Sequence, residues 1–414
     1  MQQIIFYFII GILIFDYALD QFLDYLNATK RSLTLPSELK GIYDEEKYKK
    51  SQDYGKVNHK FSILTSSFSL LLILVFLYFS GFAIIDNLAR SYTSNIILIS
   101  LIFFGIIMFA SDILQTPFNL YDTFVIEEKF GFNKTTVKTF ILDKIKEWFI
   151  AVIIGGGLLA LIIWFYDAVG EYFWVYAWIA ISFFMLFMTM FYTSVIVPLF
   201  NKLKPIEDGE LKDEITTFCN KVGFILDNVF IIDGSKRSTK ANAYFSGLGK
   251  RKKIVLFDTL IEQLSKEEII AVLAHEIGHY KKKHTIIAVF SSIIQTGLTL
   301  FILSLFVGNP ELSKALGSEI PSFHLGLITF GFLYSPISTI IDLFMNVISR
   351  KNEYAADQFA AENYKGIHLQ NALKTLSVSD LSNLTPHPLN VFFNYSHPTL
   401  LQRLKFIGKF DNKA

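Results

Sequence analysis

Seven apolar runs order this chain, near residues 3–23, 61–85, 95–111, 149–166, 174–198, 285–307 and 322–348. About 20 apolar residues in a helix cross the roughly 30 Å hydrocarbon core of a bilayer, and most of these runs reach that length. Only helices or closed barrels satisfy every backbone amide in lipid, and long unbroken apolar runs belong to helices. The pattern therefore predicts an all-α integral membrane protein with seven transmembrane helices. The first run is the weakest, apolar from Ile4 to Phe15 and then meeting Asp16. No small-x-small cleavage site follows, so it reads as an uncleaved signal anchor. Of the 414 residues 52% are hydrophobic, and the mean hydropathy of +0.41 lies above that of soluble domains.

Charge predicts the orientation. Lys plus Arg in the successive segments outside the runs number 0, 8, 1, 5, 0, 15, 1 and 8, out of 38. Rich and poor segments alternate without exception, and rich segments stay in the cytoplasm. The N-terminus is thus expected outside, with segments 24–60, 112–148, 199–284 and 349–414 cytoplasmic. A net charge of +1 is neutral on nucleic acid, and the lipid bilayer is the expected partner instead. The single cysteine, Cys219, excludes an internal disulfide and a Cys-based zinc site, so any metal must be held by His and carboxylate.

Segment 199–284 reads as a small α/β unit. Asn228 to Gly234 is a β-rich run ending in a turn, and residues 241–246 and 252–257 flank Gly247-Leu-Gly-Lys250 as a hairpin. Ser265-Lys-Glu-Glu268 has the form of a capping box, starting a helix that carries His275-Glu276-Ile277-Gly278-His279. Histidines four apart share one helical face and can grip a single Zn²⁺. Glu276, about 100° round the helix, is placed to take a proton from water. Small residues Ala271, Ala274 and Gly278 predict close packing on a neighbour. The helix is expected to run on past Lys281–Lys283 and His284 into the sixth span.

A catalytic zinc takes a third protein ligand. Glu353 is the candidate, directly after the seventh span and on the same membrane side as the histidines. Asp357 shares its helix face and is placed to accept a ring N–H from a zinc histidine. His284 fits the helical phase less well and reads as a juxtamembrane residue rather than a ligand.

Several further blocks carry a resemblance: Leu35 to Tyr43, Pro117 to Asn133 with its particular Ile126-Glu-Glu-Lys-Phe-Gly-Phe-Asn133, Asp233 to Ser238, Asn242 to Phe245 and Ser396-His-Pro-Thr-Leu400. With His275 to His279 and Glu353 to Asp357, they make the chain resemble, over almost its whole length, the type I CAAX prenyl endopeptidases, integral-membrane zinc proteases of the gluzincin group. The resemblance implies seven transmembrane helices forming a barrel around a hydrated chamber, with a small cytoplasmic α/β gluzincin-like zinc protease unit. Helices 1–5 and their loops would occupy 1–198, the α/β protease segment 199–284, helices 6 and 7 285–348, and a segment completing the zinc site 349–414. It also implies one Zn²⁺ per chain and hydrolysis near the C-terminus of a peptide or protein, farnesylated in the family, by a monomer. Asn242, Ala243, Tyr244 and Phe245 would form an edge strand onto which the substrate adds. Asn242 and His397 would flank the scissile bond, with His397 donating to the oxyanion. Arg403 would bind a substrate carboxylate or orient His397.

The residues themselves support a wet interior. Asp16, Asp20 and Asp24 recur every four residues, and Asp112, Gln295, Asp342 and Asn346 lie in or at the edges of spans, where polar groups are costly without water or partners. Two other readings remain at this stage. One is a zinc protease that clears damaged membrane proteins without a lipid requirement. The other is a seven-span transporter or lipid-binding protein with a vestigial metal motif. The end Lys409 to Ala414 bears no retrieval signal, and the Ile/Lys/Asn/Phe-rich composition suits a bacterial inner membrane, with the endoplasmic reticulum expected for a eukaryotic member.

Overall fold

The structure, a computed structural model, describes residues 1–31, 34, 35, 37, 40–224, 228–247 and 253–410. Six helical runs are long and apolar enough to cross a membrane: Gln2–Thr29, Glu45–Tyr78, Ile96–Phe130, Val137–Phe200, His284–Phe306 and Phe323–Asn363. Only 6–17% of the most apolar stretch of each is buried within the protein, so most of that surface faces outward. Apolar surface on this scale is stable in a bilayer and not in water. The chain is a multi-pass integral membrane protein.

The count of six differs from the seven apolar runs in one place. Val137–Phe200 spans 64 residues, about 96 Å if straight and three times a bilayer core. It is not straight. At Gly170 the backbone turns to φ 57°, ψ −126°, a region that glycine enters without strain. A single 3₁₀ turn, Gly170–Tyr172, follows, and helix Gly157–Val169 folds back against Phe173–Val195 around buried Ile163, Phe173 and Ala177.

Remote from the sheet described next, a buried polar cluster ties helix starts together. His324 Nε2 is 2.9 Å from Asp86 Oδ1, Ser100 Oγ is 3.0 Å from His324 Nδ1, and Arg90 Nε donates to Asp86 Oδ2 at 3.1 Å. Asp86 is fully buried, and each of its oxygens finds a donor, as a buried carboxylate requires.

The non-membrane part holds a four-stranded sheet: β1 (Leu203–Pro205), β2 (Asn228–Ile232), β3 (Ala243–Ser246) and β4 (Lys253–Phe257), in the order β1-β2-β4-β3. The β2–β4 pair is parallel, and the outer pairs are antiparallel. The expected β run and hairpin arms are present, while the tip residues Leu248, Gly249 and Lys250 lie outside the described residues. So do Pro36, Glu38 and Leu39 of the early block and the last four residues. Helices Glu210–Lys221 and Lys266–Lys281 and the far end of Phe323–Asn363 close over the sheet in one core that includes Ile215, Ile254, Leu256, Ile269, Ile277 and Ala360.

One expectation fails. The motif helix does not run on into the sixth span: it stops at Lys281, Lys283 turns left-handed (φ 61°, ψ 24°), and a new helix starts at His284. A continuous helix would set His284 about 140° away from His279. The break instead brings the two rings together, with Nδ1 to Nδ1 at 3.0 Å.

Candidate metal centre and active site

The motif helix Lys266–Lys281 begins with both halves of a capping box. Glu268 N–H donates to Ser265 Oγ at 3.3 Å, and Ser265 N–H donates to Glu268 Oε2 at 2.9 Å. Its small face then meets the long helix Phe323–Asn363. A Cβ added to Gly278 would lie 3.1 Å from the Cα and carbonyl oxygen of Ala356. Contact this close sets His275 and His279, one turn apart on one helix, against Glu353 and Asp357, one turn apart on the other.

Donor atoms of three residues converge. His275 Nε2 and His279 Nε2 are 3.1 Å apart, His275 Nε2 is 3.4 Å from Glu353 Oε2, and His279 Nε2 is 3.2 Å from Glu353 Oε1. A tetrahedron with metal–ligand bonds of 2.0–2.1 Å has edges of about 3.3–3.4 Å, so the spacing suits Zn²⁺. Glu353 is buried, and its Oε2 accepts no hydrogen bond, the Arg403 Nη1 cation lying 3.6 Å away. A buried carboxylate oxygen without a hydrogen bond is costly unless cations compensate it. The donor set and this oxygen fit a metal ion.

Behind the ligands the outer ring nitrogens are occupied. His275 Nδ1 is 2.9 Å from Asp357 Oδ1, and Asp357 is fully buried. Arg403 clamps the same carboxylate with two bonds, Nε to Oδ2 at 2.9 Å and Nη2 to Oδ1 at 2.6 Å. Burial opposes charge on His275, but Asp357 and Glu353 outweigh it and lift its imidazole to about 9. Arg403 is likewise held in its charged form against burial by Asp357 and Glu353. His279 has its Nδ1 on His284, a partner that sequence spacing does not reveal, because the chain must break at Lys283 to bring it round.

Glu276 differs from its neighbours. No hydrogen bond or ion pair engages its carboxylate among the described residues, and burial is the main cause that raises its pKa above the usual range. A carboxylate so placed is suited to accept and return a proton. His397 reaches the centre from the opposite side, its Nε2 3.3 Å from Glu353 Oε1 and its Nδ1 2.9 Å from Ser396 Oγ.

Asn242 stands at the head of β3, exposed, with its Oδ1 accepting Ala243 N–H at 2.8 Å. No contact among the described residues joins it to the histidines. β3 lies at one end of the strand order, so its outer edge carries no strand among the described residues. Ala243 and Phe245 pack toward the motif-helix core, and Tyr244 packs the other way. A cleft of about 570 Å³ runs along this strand, lined by Asn242, Tyr244, Phe245, Tyr192 and Thr285. Thr285, at one end of the cleft, follows His284, the partner of His279 Nδ1. The Ile126–Asn133 block steers the chain into β3: Lys240 Nζ is 2.8 Å from Glu127 Oε2, and Thr239 N–H donates to the Phe132 carbonyl at 3.0 Å. Spacing also missed Arg350, which donates to the Val391 and Tyr395 carbonyls, and the target of Asn346, the Phe393 carbonyl.

A His-His-Glu donor set with a free glutamate beside it, at the end of membrane helices, defines a membrane zinc metallopeptidase. Residues 24–202 match the CAAX prenyl protease N-terminal family, described as five membrane helices, and residues 205–410 match peptidase family M48. The chain is 36% identical over 417 residues to the CAAX prenyl protease 1 homolog of Arabidopsis thaliana, covering 98% of both. It is 36% identical over 431 residues to CAAX prenyl protease 1 of Saccharomyces cerevisiae, covering 97% of this chain and 95% of that one. The crystal structure of S. mikatae Ste24p superposes with a TM-score of 0.93 at 34% identity, covering 97% of this chain and 99% of that one. The chain belongs to the CAAX prenyl protease 1 family, within peptidase family M48. The reading as a transporter or lipid-binding protein falls.

Proposed function

We propose that this chain binds one Zn²⁺ through His275, His279 and Glu353 and cleaves a peptide bond near the C-terminus of CAAX-type proteins at the cytoplasmic face. The observation that carries the reading is the convergence of His275, His279 and Glu353, with donor atoms 3.1–3.4 Å apart, and Glu276 unengaged beside them. Zinc held there would lower the pKa of water to about 7 and polarise the scissile carbonyl. Glu276 takes the proton from the attacking water and returns it to the leaving amine. The carbonyl oxygen, as it gains charge, accepts from His397. The substrate adds in extended form to the open edge of β3, with Asn242 beside the scissile bond. Arg403 acts through Asp357, which holds the His275 ring and its tautomer.

The turn at Gly170 supports reading the run Val137–Phe200 as two spans, for seven in all. The alternation of Lys and Arg favours an outside N-terminus and a cytoplasmic site. Polar contacts between spans support a hydrated chamber within a seven-helix barrel: Ser335 Oγ donates to Asp16 at 2.7 Å, and Gln21 Nε2 donates to Ser66 Oγ at 3.1 Å. In this reading the monomer is the working unit, with boundaries at 198, 284 and 348.

The test is hydrolysis of a farnesylated CAAX peptide and its bare counterpart by purified protein, with and without a chelator. Faster turnover of the farnesylated peptide, abolished by the chelator, is expected. Equal turnover of both would transfer the reading to a membrane-protein clearing protease.

A further inference from the structure

His397 has little of its own to hold it. Its side chain is 61% exposed, and apart from Glu353 its polar partner among the described residues is the neighbouring Ser396 hydroxyl. Its position is therefore inherited from the backbone of residues 395–399, which follows helix Pro388–Asn394. The last carbonyls of a helix lack internal N–H partners. Here the Phe393 carbonyl is taken by the long helix that carries Glu353, which also reaches the Val391 carbonyl, already an acceptor from Tyr395 N–H at 3.2 Å, and the carbonyl of Tyr395 just past the helix. Asn346 Nδ2 donates to the Phe393 carbonyl at 2.8 Å. Arg350 Nη1 donates to the Val391 carbonyl at 3.2 Å and also to that of Tyr395. No carboxylate pairs with Arg350 among the described residues, so its described bonds go to main chain.

Arg350 stands three residues before Glu353, about 4.5 Å along one helix axis. The anchor of the His397 segment and the metal ligand are thus parts of a single rigid rod. We propose that Arg350, assisted by Asn346, is a positioning residue that sets His397 at the reacting carbonyl relative to Glu353. The guanidinium suits this task because Nη1 presents its two N–H donors in a fixed plane, whereas an ammonium on a flexible stem would not fix both carbonyls. The inference rests on the reading of His397 as the oxyanion donor.

A double-mutant cycle separates the two claims. Wild type, Arg350→Met, His397→Ala and the double variant are purified, zinc-loaded and compared for kcat, KM and zinc content on one peptide. Arg350→Met is expected to lower kcat about 10- to 100-fold, part of what loss of an oxyanion donor costs, with KM and zinc content unchanged. On the His397→Ala background the same change should cost nothing further, because the group it positions is gone. Arg350→Lys should recover part of kcat.

Additive losses in the double variant, beside a costly His397→Ala, would overturn the positioning role alone. So would zinc loss in Arg350→Met, which marks general support of the fold. A His397→Ala protein with wild-type kcat would overturn the His397 reading and the positioning role together. If Arg350→Met does not fold, Asn346→Ala, which removes one donor, enters the same cycle with an expected loss of about threefold to tenfold.

Discussion

Gly278→Ala sets two effects of known size against each other. Glycine to alanine inside a helix contributes roughly 0.8–1 kcal/mol of propensity. The new methyl, however, would lie 3.1 Å from Ala356 Cα and O and 3.2 Å from Phe359 Cβ. Those are main-chain and Cβ atoms with no rotamer to escape into, so the long helix must recede by a few tenths of an ångström. Overpacking of this kind costs roughly 1–3 kcal/mol. The net effect on stability is a loss of about 0–2 kcal/mol. The effect on metal should be larger in proportion, because Glu353 is one turn from Ala356 on the helix that is displaced. Zinc retention against a competing chelator, with thermal unfolding measured in parallel, reads both. Gly105→Ala is the control, since a Cβ there meets nothing within 4 Å. The account expects weaker zinc retention in Gly278→Ala and none of that in the control. A Gly278→Ala protein that holds zinc as wild type does would refute the claim that this contact sets the ligand geometry.

Other substitutions divide the site by role. Glu276→Gln should keep zinc and lose at least 10²-fold in kcat, as measured on metal-replete protein. Glu353→Gln should lose zinc itself, visible by elemental analysis after dialysis; unchanged stoichiometry would move the third ligand elsewhere. Arg403→Met strips the clamp from buried Asp357 and should weaken zinc roughly 10- to 100-fold in chelator competition; no change would deny that Arg403 acts through Asp357. Asp380 supplies a pH test. Burial raises its carboxyl from 3.8 to about 6, against a smaller opposing effect of Lys240. The folded state therefore holds this proton more tightly, and stability falls as pH rises from about 4 through 6. Asp380→Asn should raise the unfolding temperature at pH 8 but not at pH 4, by an amount worth about 1–2 kcal/mol once partial exposure of the carboxyl is allowed for. An equal shift at both values would refute it.

Much of the membrane part was legible because lipid leaves the backbone few choices. An apolar run such as 285–307 has no alternative to a helix, and the capping box at Ser265 marks the start of the motif helix by local chemistry alone. Asp357 was legible through the four-residue spacing from Glu353. What sequence pattern missed depends on contacts made across the chain. The break at Lys283 arises where three lysines could as well continue a helix, and only the tertiary position of His284 explains it. Arg403 meets Asp357 across 46 residues, which no local period encodes. Arg350 bonds main-chain carbonyls, and these leave no mark on the identity of the residues that carry them. The turn at Gly170 was visible as a gap between two apolar runs, but not that one helical run folds back there on a single glycine.

The central claim is that zinc on His275, His279 and Glu353, with Glu276 as base, performs the hydrolysis. Its most direct measurement is peptidase activity during a zinc titration of chelator-stripped protein, beside the Glu276→Gln variant at full occupancy. The account predicts one zinc per chain, activity that rises in proportion to it, and a zinc-loaded Glu276→Gln protein without turnover. Full activity in metal-free protein, or turnover by the zinc-loaded variant at the wild-type rate, would contradict it.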